Sequence, residues 1–228
     1  MPAFEPRPDD LPREFPIFPL PGALLLPRGK LPLNIFEPRY LAMTEDALAA
    51  GRMFGMIQPD TRPPEGPTGP GLYRIGCLGR IVSFSETDDG RYLITLFGLI
   101  RFAVAEELQM QRSYRRVRAD LSAFGADLAA TPEGEPEFDR AGLLQSLRGY
   151  FAHRGFEANW DAINQMPDDA LVVTLSMVCP FEPAEKQALL EAATPADRAQ
   201  TLLALLQIET HAVGRDAADP AADRFRVS

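Results

Sequence analysis

The chain has 228 residues, of which 46% are hydrophobic and 24% charged, and its formal net charge at pH 7 is −9. These values are typical of a soluble globular protein that needs no staple to hold its core. The negative charge argues against general binding to nucleic acid or anionic membranes, because both require a positive surface. Cys77 and Cys179 are too few for a disulfide framework, so we expect buried free thiols.

Residues 1–13 are rich in proline and charge, and we expect them to form a loose arm. They lack a basic region followed by an apolar core and so do not resemble a signal peptide. The longest apolar run, Ala170–Cys179, is too short to span a bilayer. We therefore expect a cytoplasmic protein with no membrane association.

The chain is organised around an apolar, proline-interrupted stretch that runs from Phe15 to Gln58. Pro16 and Pro19 cannot donate to a sheet ladder, so the strand that contains them is expected to be short, broken or at a sheet edge. An extended apolar chain with such interruptions suits a strongly bent sheet or a small barrel.

A helix is expected later in the same stretch. Pro38 suits the first helical position, where its missing N–H costs nothing, and Glu37 favours the positive end of the helix dipole. Apolar residues then recur at helical spacing until Gly51, which is a good residue for ending a helix. The strand Met53–Ile57 follows.

Gln58–Gly71 is a proline- and glycine-rich loop without apolar periodicity. We favour a surface connection, and the alternative is a mobile flap beside a binding surface. Strand patterns follow, with a turn at Asp88–Gly90 and a break at Gly98. The predicted strands are Leu72–Ser85, Tyr92–Phe97, Ile100–Ala105 and Gln109–Leu121.

The apolar spacing changes from strand to helix period across residues 122–137, a polar segment that we interpret as a linker. We therefore predict a β-rich subdomain over 14–121, a helical subdomain over 138–213 and a disordered tail over 214–228. Within the helical part, Leu171–Val178 is almost entirely apolar and should be buried on nearly all sides. Thr194–Asp197 reads as a capping box.

The run LPLNIFEPRY, from Leu31 to Tyr40, resembles the signature of the Lon N-terminal domain, the substrate-binding domain of Lon proteases. Asn34 stands where that family commonly has histidine. The resemblance extends to about Thr210. Further positions that match the family pattern are Gly76, Ile81, Gly90, Gly98, Arg101, Glu185-Lys186-Gln187, Leu189-Leu190-Glu191, Arg198 and Leu202 to Leu206.

The resemblance implies an α+β fold, in which a small bent β-subdomain is followed by an α-helical subdomain. The β-subdomain is expected to be a PUA-like pseudobarrel with one inserted helix. The resemblance also implies a stand-alone, non-catalytic module without the ATPase and protease domains of Lon. The residues agree, because the sequence has no phosphate-binding P-loop motif, and its two lysines, Lys30 and Lys186, lie outside any Ser–Lys motif. We expect no cofactor and no enzymatic activity.

Other chemistry-bearing residues have structural interpretations. His153 and His211 lack metal-like partners and are expected to be solvated on helices rather than bound to a metal. Asp168-Asp169 lies at a helix start, where acidic residues complement the dipole. The one basic cluster is Arg112, Arg115, Arg116 and Arg118. We interpret it as a solvated strand face, although RNA binding is an alternative for a PUA-like fold.

The stretch from Phe15 to Tyr40, which ends in the signature, supplies the candidate contact residues for a bound peptide: Phe18, Ile35, Phe36, Arg39 and Tyr40. Four other signature residues are predicted to be structural: Leu31, Pro32, Glu37 and Pro38. For Glu37 and Arg39, a role in fixing the helix start is weighed against ligand binding.

Two functions follow from the resemblance. The first is a module that recognises unfolded or damaged polypeptide through an apolar groove or an exposed strand edge. The second is an adaptor or regulator that docks on a protease or another complex. A third, minor alternative is an RNA or small-molecule binder. The partner is therefore expected to be unfolded polypeptide or another protein, and nucleic acid is not favoured.

Overall fold

The computed structural model describes residues 6–129 and 138–216. The helices are α1 (Pro38–Ala49), α2 (Arg140–Arg154), α3 (Trp160–Gln165), α4 (Asp168–Val178), α5 (Pro183–Glu191) and α6 (Pro195–Asp216). The strands are β1 (Glu14–Pro19), β2 (Lys30–Ile35), β3 (Met53–Ile57), β4 (Pro59–Asp60), β5 (Gly71–Leu72), β6 (Ile75–Glu86), β7 (Tyr92–Gln111) and β8 (Tyr114–Asp120). Two 3-10 helices span Pro8–Asp10 and Ser122–Leu128.

Six strands form one strongly bent sheet in the order β2-β7-β6-β3-β1-β8. Because β7 also pairs with β8, five of these strands close into a ring, and β2 is added outside it along the first half of β7. All neighbours are antiparallel except β1 and β3. With α1 inserted between β2 and β3, the structure confirms the predicted pseudobarrel followed by helices.

The core of the ring is built from large apolar side chains that alternate inward along the strands. Phe15 on β1 and Phe102 on β7 pack edge to face with ring centroids 5.0 Å apart. Ile17, Leu78 and Val117 have no exposed surface. Leu11 joins this core, and the Arg13 carbonyl accepts a hydrogen bond from the Ala119 amide. The prediction of a loose arm over 1–13 is therefore wrong for its last residues.

Strand β1 shows how a proline-rich segment enters a barrel. It is short, as predicted, but it has a neighbour on each side. Glu14–Pro16 pair with β8, whereas Ile17–Pro19 pair with β3. Because each half uses a different neighbour, neither Pro16 nor Pro19 has to sit in a long two-sided ladder.

Strand β7 is continuous through Gly98, where the sequence predicted a break. A Cβ atom at this residue would lie 2.0 Å from the Leu26 carbonyl oxygen. The Gly98 amide donates to the Gly29 carbonyl, and its own carbonyl accepts from the Arg28 amide. Glycine is therefore required here because another segment of backbone crosses the strand closely, not because the strand ends.

The predicted strand Gln109–Leu121 is instead a tight hairpin between β7 and β8. Its two turn residues, Arg112 and Ser113, have φ values of 45° and 69°. A two-residue turn with positive φ at both central residues has a backbone twist that matches the twist of the two antiparallel strands it joins. Helix α1 follows its prediction, with Pro38 as its first residue and Gly51 (φ 89°) just beyond its end.

The chain divides into two compact units, and neither is continuous in sequence. The first unit is Met1–Pro132 with Val173–Glu191, and the second is Glu133–Val172 with Ala192–Ser228. The predicted helical subdomain over 138–213 is therefore not one unit, because α5 and most of α4 group with the barrel. The predicted linker, 122–137, begins as an ordered 3-10 helix, and its residues 130–137 lie outside the described chain.

Polar side chains account for the place of α5 in the first unit. The Gln58 amide donates to the Pro183 carbonyl at 2.8 Å, and Gln187 donates to the Ile75 carbonyl at 3.1 Å. Lys186 donates to the Gly22 carbonyl at 2.7 Å. These side chains are almost fully buried, so the Lys186-Gln187 part of the family pattern fixes the helix to the barrel.

In the second unit, α2 packs on α6 around Leu147, Tyr150, Leu202 and Leu206, all of which have no exposed surface. The predicted capping box is confirmed, because the Thr194 hydroxyl accepts from the Asp197 amide and Asp197 accepts from the Thr194 amide. Helix α6 ends at Asp216, so the predicted disordered tail begins inside it, and the rest of that tail lies outside the described residues.

Helix α4 is less buried than its composition suggested. Leu171 and Ser176 are fully buried, but Val178 at its end is 69% exposed. The prediction of burial on nearly all sides is wrong at this end, where the helix stops two residues before Pro180.

Candidate protein-binding surface

Three of the five candidate contact residues are core residues. Phe18, Ile35 and Tyr40 are 6%, 1% and 6% exposed. The rings of Phe18 and Tyr40 stack with centroids 4.0 Å apart, and burial raises the pKa of the Tyr40 phenol. A bound chain cannot reach these side chains in this structure. Their role is to hold α1 against β1.

Phe36 and Arg39 are exposed. Phe36 is 61% exposed, and the Arg91 guanidinium lies 5.8 Å from the centre of its ring. Arg39 donates to the Glu37 carboxylate at 2.8 Å and lies 4.6 Å from the Tyr40 ring centre. Glu37 is the N-cap residue of α1, but its side chain makes no cap hydrogen bond. The two side chains form an exposed ion pair with each other, and a role of this pair in fixing the helix start stays a prediction.

The remaining signature residues have distinct positions. Pro38 opens α1, and Leu31 and Pro32 lie in β2 opposite Leu96 and Thr95 of β7. Leu31 is half-buried, whereas Pro32 is exposed. All of them shape the strand and the helix that carry Phe36.

An exposed apolar surface lies where β6 and β7 meet, and sequence reasoning missed it. We call these exposed side chains the hairpin surface, and its members are Phe36, Val82, Phe84 and Leu93, which are 61%, 51%, 40% and 46% exposed. The register places Phe84 on the face of Ile94 and Leu93 on the opposite face, so the hairpin surface has two sides. Phe84 contacts Tyr92 with ring centroids 5.0 Å apart. The available signal was the run Tyr92-Leu93-Ile94, in which both faces of a strand are apolar although only one can face the core.

The basic cluster is neutralised by carboxylates. Arg112 pairs with Glu45 and Asp46, and hydrogen bonding to Glu45 is the main cause that raises its pKa. Arg115 is buried and pairs with Glu107.

The two arginines further along β8 are also paired. Arg118 pairs with Glu14 and Glu106, and Arg116 lies 3.9 Å from Glu14. The predicted solvated strand face therefore fits Arg116 and Arg118, whereas Arg115 is buried and Arg112 lies in the turn. It offers little to a polyanion.

The loop over residues 58–71 is attached to the barrel at its end. Arg115 donates to the Pro70 carbonyl at 2.8 Å, and β4 pairs with β5 across the base of the loop. Residues 61–68 between them are exposed. The loop is therefore a connection with a fixed base, and nothing apolar in it extends the hairpin surface.

The titratable residues outside this surface form no site. His153 is exposed in the last turn of α2, and the side chain of His211 lies outside what is described. Asp168 pairs with Arg140 at the start of α4. Across the described ranges, 6–129 and 138–216, no three His, Cys, Asp or Glu side chains are placed to hold a metal ion.

Both cysteines are free and buried, as predicted. Burial raises the pKa of the Cys179 thiol to about 12, so this thiol is protonated at neutral pH. None of the helices in the described part of the chain has the length and hydropathy needed to cross a bilayer. The cytoplasmic location stays a prediction.

Comparisons with known proteins agree with the fold. Residues 14–207 match the family described as the ATP-dependent protease La (LON) substrate-binding domain. The chain belongs to this family.

Two curated relatives show how the match is distributed. Lon protease 2 of Myxococcus xanthus is 30% identical over 112 residues, which are 49% of this chain and 13% of that protein. Lon protease of Dictyoglomus thermophilum is 27% identical over 168 residues, which are 74% of this chain and 19% of that protein. The chain thus matches less than a fifth of the length of these two relatives.

Two solved structures share the fold of this LON-family chain. A Lon N-terminal domain protein from Xanthomonas campestris aligns with a TM-score of 0.54 at 22% identity, covering 84% of this chain and 97% of that one. The N-terminal domain of a Mycobacterium avium complex Lon protease aligns with a TM-score of 0.52 at 15% identity, covering 85% and 98%. Family membership supports a substrate-binding role in general.

Proposed function

We propose that this chain is a non-catalytic protein-binding module that recognises exposed apolar segments of unfolded or damaged polypeptide. The observation that carries the proposal is the hairpin surface, which leaves four large apolar side chains in solvent on a protein with net charge −9. Family membership supplies the general substrate-binding role. The ligand class is inferred from the chemistry of the surface.

An apolar surface of this kind discriminates by folding state. A folded protein has already buried most of its large apolar side chains, whereas an unfolded chain presents them. Covering one side chain of this size contributes roughly 1.5–3 kcal/mol. One or two such side chains on either face, less the cost of ordering a flexible chain, support weak and sequence-tolerant binding. Weak binding suits a module that must accept many clients.

The proposal is tested by fluorescence anisotropy with a labelled, reduced and carboxymethylated polypeptide that cannot fold. We expect saturable binding that the folded form of the same polypeptide does not displace. The double variant Phe36→Ser, Leu93→Ser should weaken binding at least tenfold, about the value of one buried side chain. Ile208→Ser removes an equally exposed apolar side chain from α6 and should leave the affinity unchanged.

The alternative role, docking on a protease or another complex, gives a different result. Absence of binding to the unfolded polypeptide at tens of micromolar would contradict client recognition. Capture of one stoichiometric partner from lysate, lost in the Phe36→Ser, Leu93→Ser variant, would then assign the same surface to a fixed partner.

A further inference from the structure

Strand β2 has a neighbour on only one side. It is the first strand in the order of the main sheet, and its single neighbour is β7. The last strand in that order, β8, has no free edge of this kind because it also pairs with β7. Across the described part of the chain, the outer side of β2 is therefore an open edge of this sheet along its whole length. Its residues Lys30, Pro32 and Asn34 are exposed.

The direction of the main-chain groups on β2 follows from the crossing at Gly98. The Gly98 amide donates to the Gly29 carbonyl, so Gly98 faces β2 and every second residue before it on β7 does the same. Leu96, Ile94 and Tyr92 thus pair through hydrogen bonds with Leu31, Leu33 and Ile35. The intervening residues, Lys30, Pro32 and Asn34, direct their main-chain groups to the open side.

Pro32 fits this geometry. A proline at a position that faces β7 would leave a gap in the ladder, whereas at a position that faces outward it removes only one edge donor. The edge keeps the N–H groups of Lys30 and Asn34 and the carbonyl groups of all three residues. An added strand can therefore form a nearly complete ladder.

The side chains along the edge separate into two kinds. On the solvent face, each residue of β2 lies opposite a residue of β7 and then one of β6. Lys30 is followed across the sheet by Phe97 and Arg80, whereas the residues across from Pro32 and Asn34 are uncharged. These residues together carry two cations and no carboxylate, in contrast to the negative chain as a whole. Lys30 forms no ion pair with a described residue. On the other face, Leu31 and Leu33 are only half-buried.

We propose that the outer edge of β2 is a strand-addition site for an extended polypeptide segment that pairs antiparallel to β2 and in which acidic residues alternate with apolar residues. Residues of the added strand that face Lys30 and Asn34 carry the carboxylates, and the alternate residues cover Leu31 and Leu33. Lysine and proline on an edge disfavour indiscriminate pairing, so carboxylates opposite Lys30 select the ligand. This inference rests on the proposed function, since it names a ligand and a binding mode for the region beside Phe36.

The decisive probe is a labelled synthetic peptide of five Val-Glu repeats and two N-methylated forms of it. N-methylation of the glutamates removes the N–H groups that would face β2, whereas N-methylation of the valines removes those that face away. We expect binding of the parent and of the valine-methylated peptide, and at least a tenfold loss for the glutamate-methylated peptide.

Protein variants give a second measurement with matched controls. Asn34→Pro deletes one edge N–H and should weaken binding about fivefold, the value of one hydrogen bond, whereas Asn34→Thr loses the same amide side chain and keeps that donor. Lys30→Glu should abolish binding of this peptide. Arg62→Glu makes the same charge change at another exposed residue and should not.

The outcomes separate the two proposals. Equal loss from both methylated peptides, or no binding of the parent, overturns strand addition at β2. If the carboxymethylated polypeptide still binds in the same assay, the proposed function stands without strand addition. If only the glutamate-methylated peptide loses binding but the unfolded polypeptide does not bind, strand addition is supported and client recognition is overturned.

Discussion

The guanidinium of Arg101 on β7 lies against the carboxylate of Asp127, with 2.8 Å between Nη2 and Oδ1, and only 7% and 9% of the two side chains is exposed. Arg101 also donates to the Leu190 carbonyl and lies 5.1 Å from the Phe124 ring centre. One side chain therefore joins the barrel, the 3-10 helix and the end of α5.

Removal of the Asp127 carboxylate should destabilise the protein strongly. In Asp127→Ala the Arg101 charge stays buried without its partner, which costs about 3–5 kcal/mol. Asp89→Ala breaks an ion pair to Arg91 whose partners are about half exposed, and should destabilise the protein far less. Urea unfolding followed by circular dichroism measures both. Equal losses of unfolding free energy in the two variants would mean that burial of the Arg101–Asp127 pair does not affect stability.

Gly98 should not tolerate a side chain. Gly98→Ala places a methyl group 2.0 Å from the Leu26 carbonyl oxygen, so the crossing backbone must move, at a cost of at least 1–3 kcal/mol, roughly the value for an overpacked core. Gly125→Ala is the control, because no atom lies within 4 Å of the new methyl group. A Gly98→Ala protein as stable as the control, measured by urea unfolding, would show that the crossing is loose.

The two lysines of the sequence should respond differently to the same substitution. Lys186→Met removes the donor to the Gly22 carbonyl, leaves this half-buried acceptor without that bond and should cost about 1 kcal/mol. Lys30→Met changes an exposed side chain and should be nearly neutral. Hydrogen exchange should also become faster around Gly22 in the first variant alone. An unchanged exchange rate around Gly22 would mean that Lys186 does not help to hold α5 on the barrel.

Tyr114 should make the protein sensitive to alkali. Burial, followed by its 2.7 Å hydrogen bond to Asp46, raises the pKa of its phenol from 10.0 to about 12. Between these values the unfolded chain loses the proton and the folded chain keeps it. The stability that this group contributes is therefore complete below pH 10 and is lost as the pH rises toward 12.

Absorbance at 295 nm tests this titration. The folded protein should show a phenol that ionises near pH 12, and Tyr114→Phe should lack it and lose less stability above pH 10. The protein unfolded in guanidinium is the control, where tyrosine ionises near 10. A Tyr114→Phe protein with the full alkaline loss would assign that loss to other groups.

The sequence predicted the fold well where the determinants are local. Pro38 and Gly51 bound a helix by their own backbone preferences, and Thr194–Asp197 form a capping box that involves only neighbours in the chain. Gly98 shows where such reasoning ends. A glycine in a strand signals either a break or a close approach, and only the position of Leu26 decides between them.

The candidate surface was predicted less well, for a related reason. Phe18, Phe36 and Tyr40 are aromatic residues of one apolar stretch, and their spacing does not show that only Phe36 is exposed. Exposure depends on which strand lies beside which. The ring of five strands places β1 inside the sheet and leaves β2 at its edge.

The discontinuity of the first unit has a consequence for biosynthesis. The barrel strands end at Asp120, but Gln58 and Arg101 find their partners at Pro183 and Leu190. On a ribosome that emits the chain from its N-terminus, the bonds of these two side chains to α5 cannot form until α5 emerges. The nascent barrel thus spends seconds incomplete, a period in which chaperones have access to it, and a stop codon after residue 129 would make that state permanent.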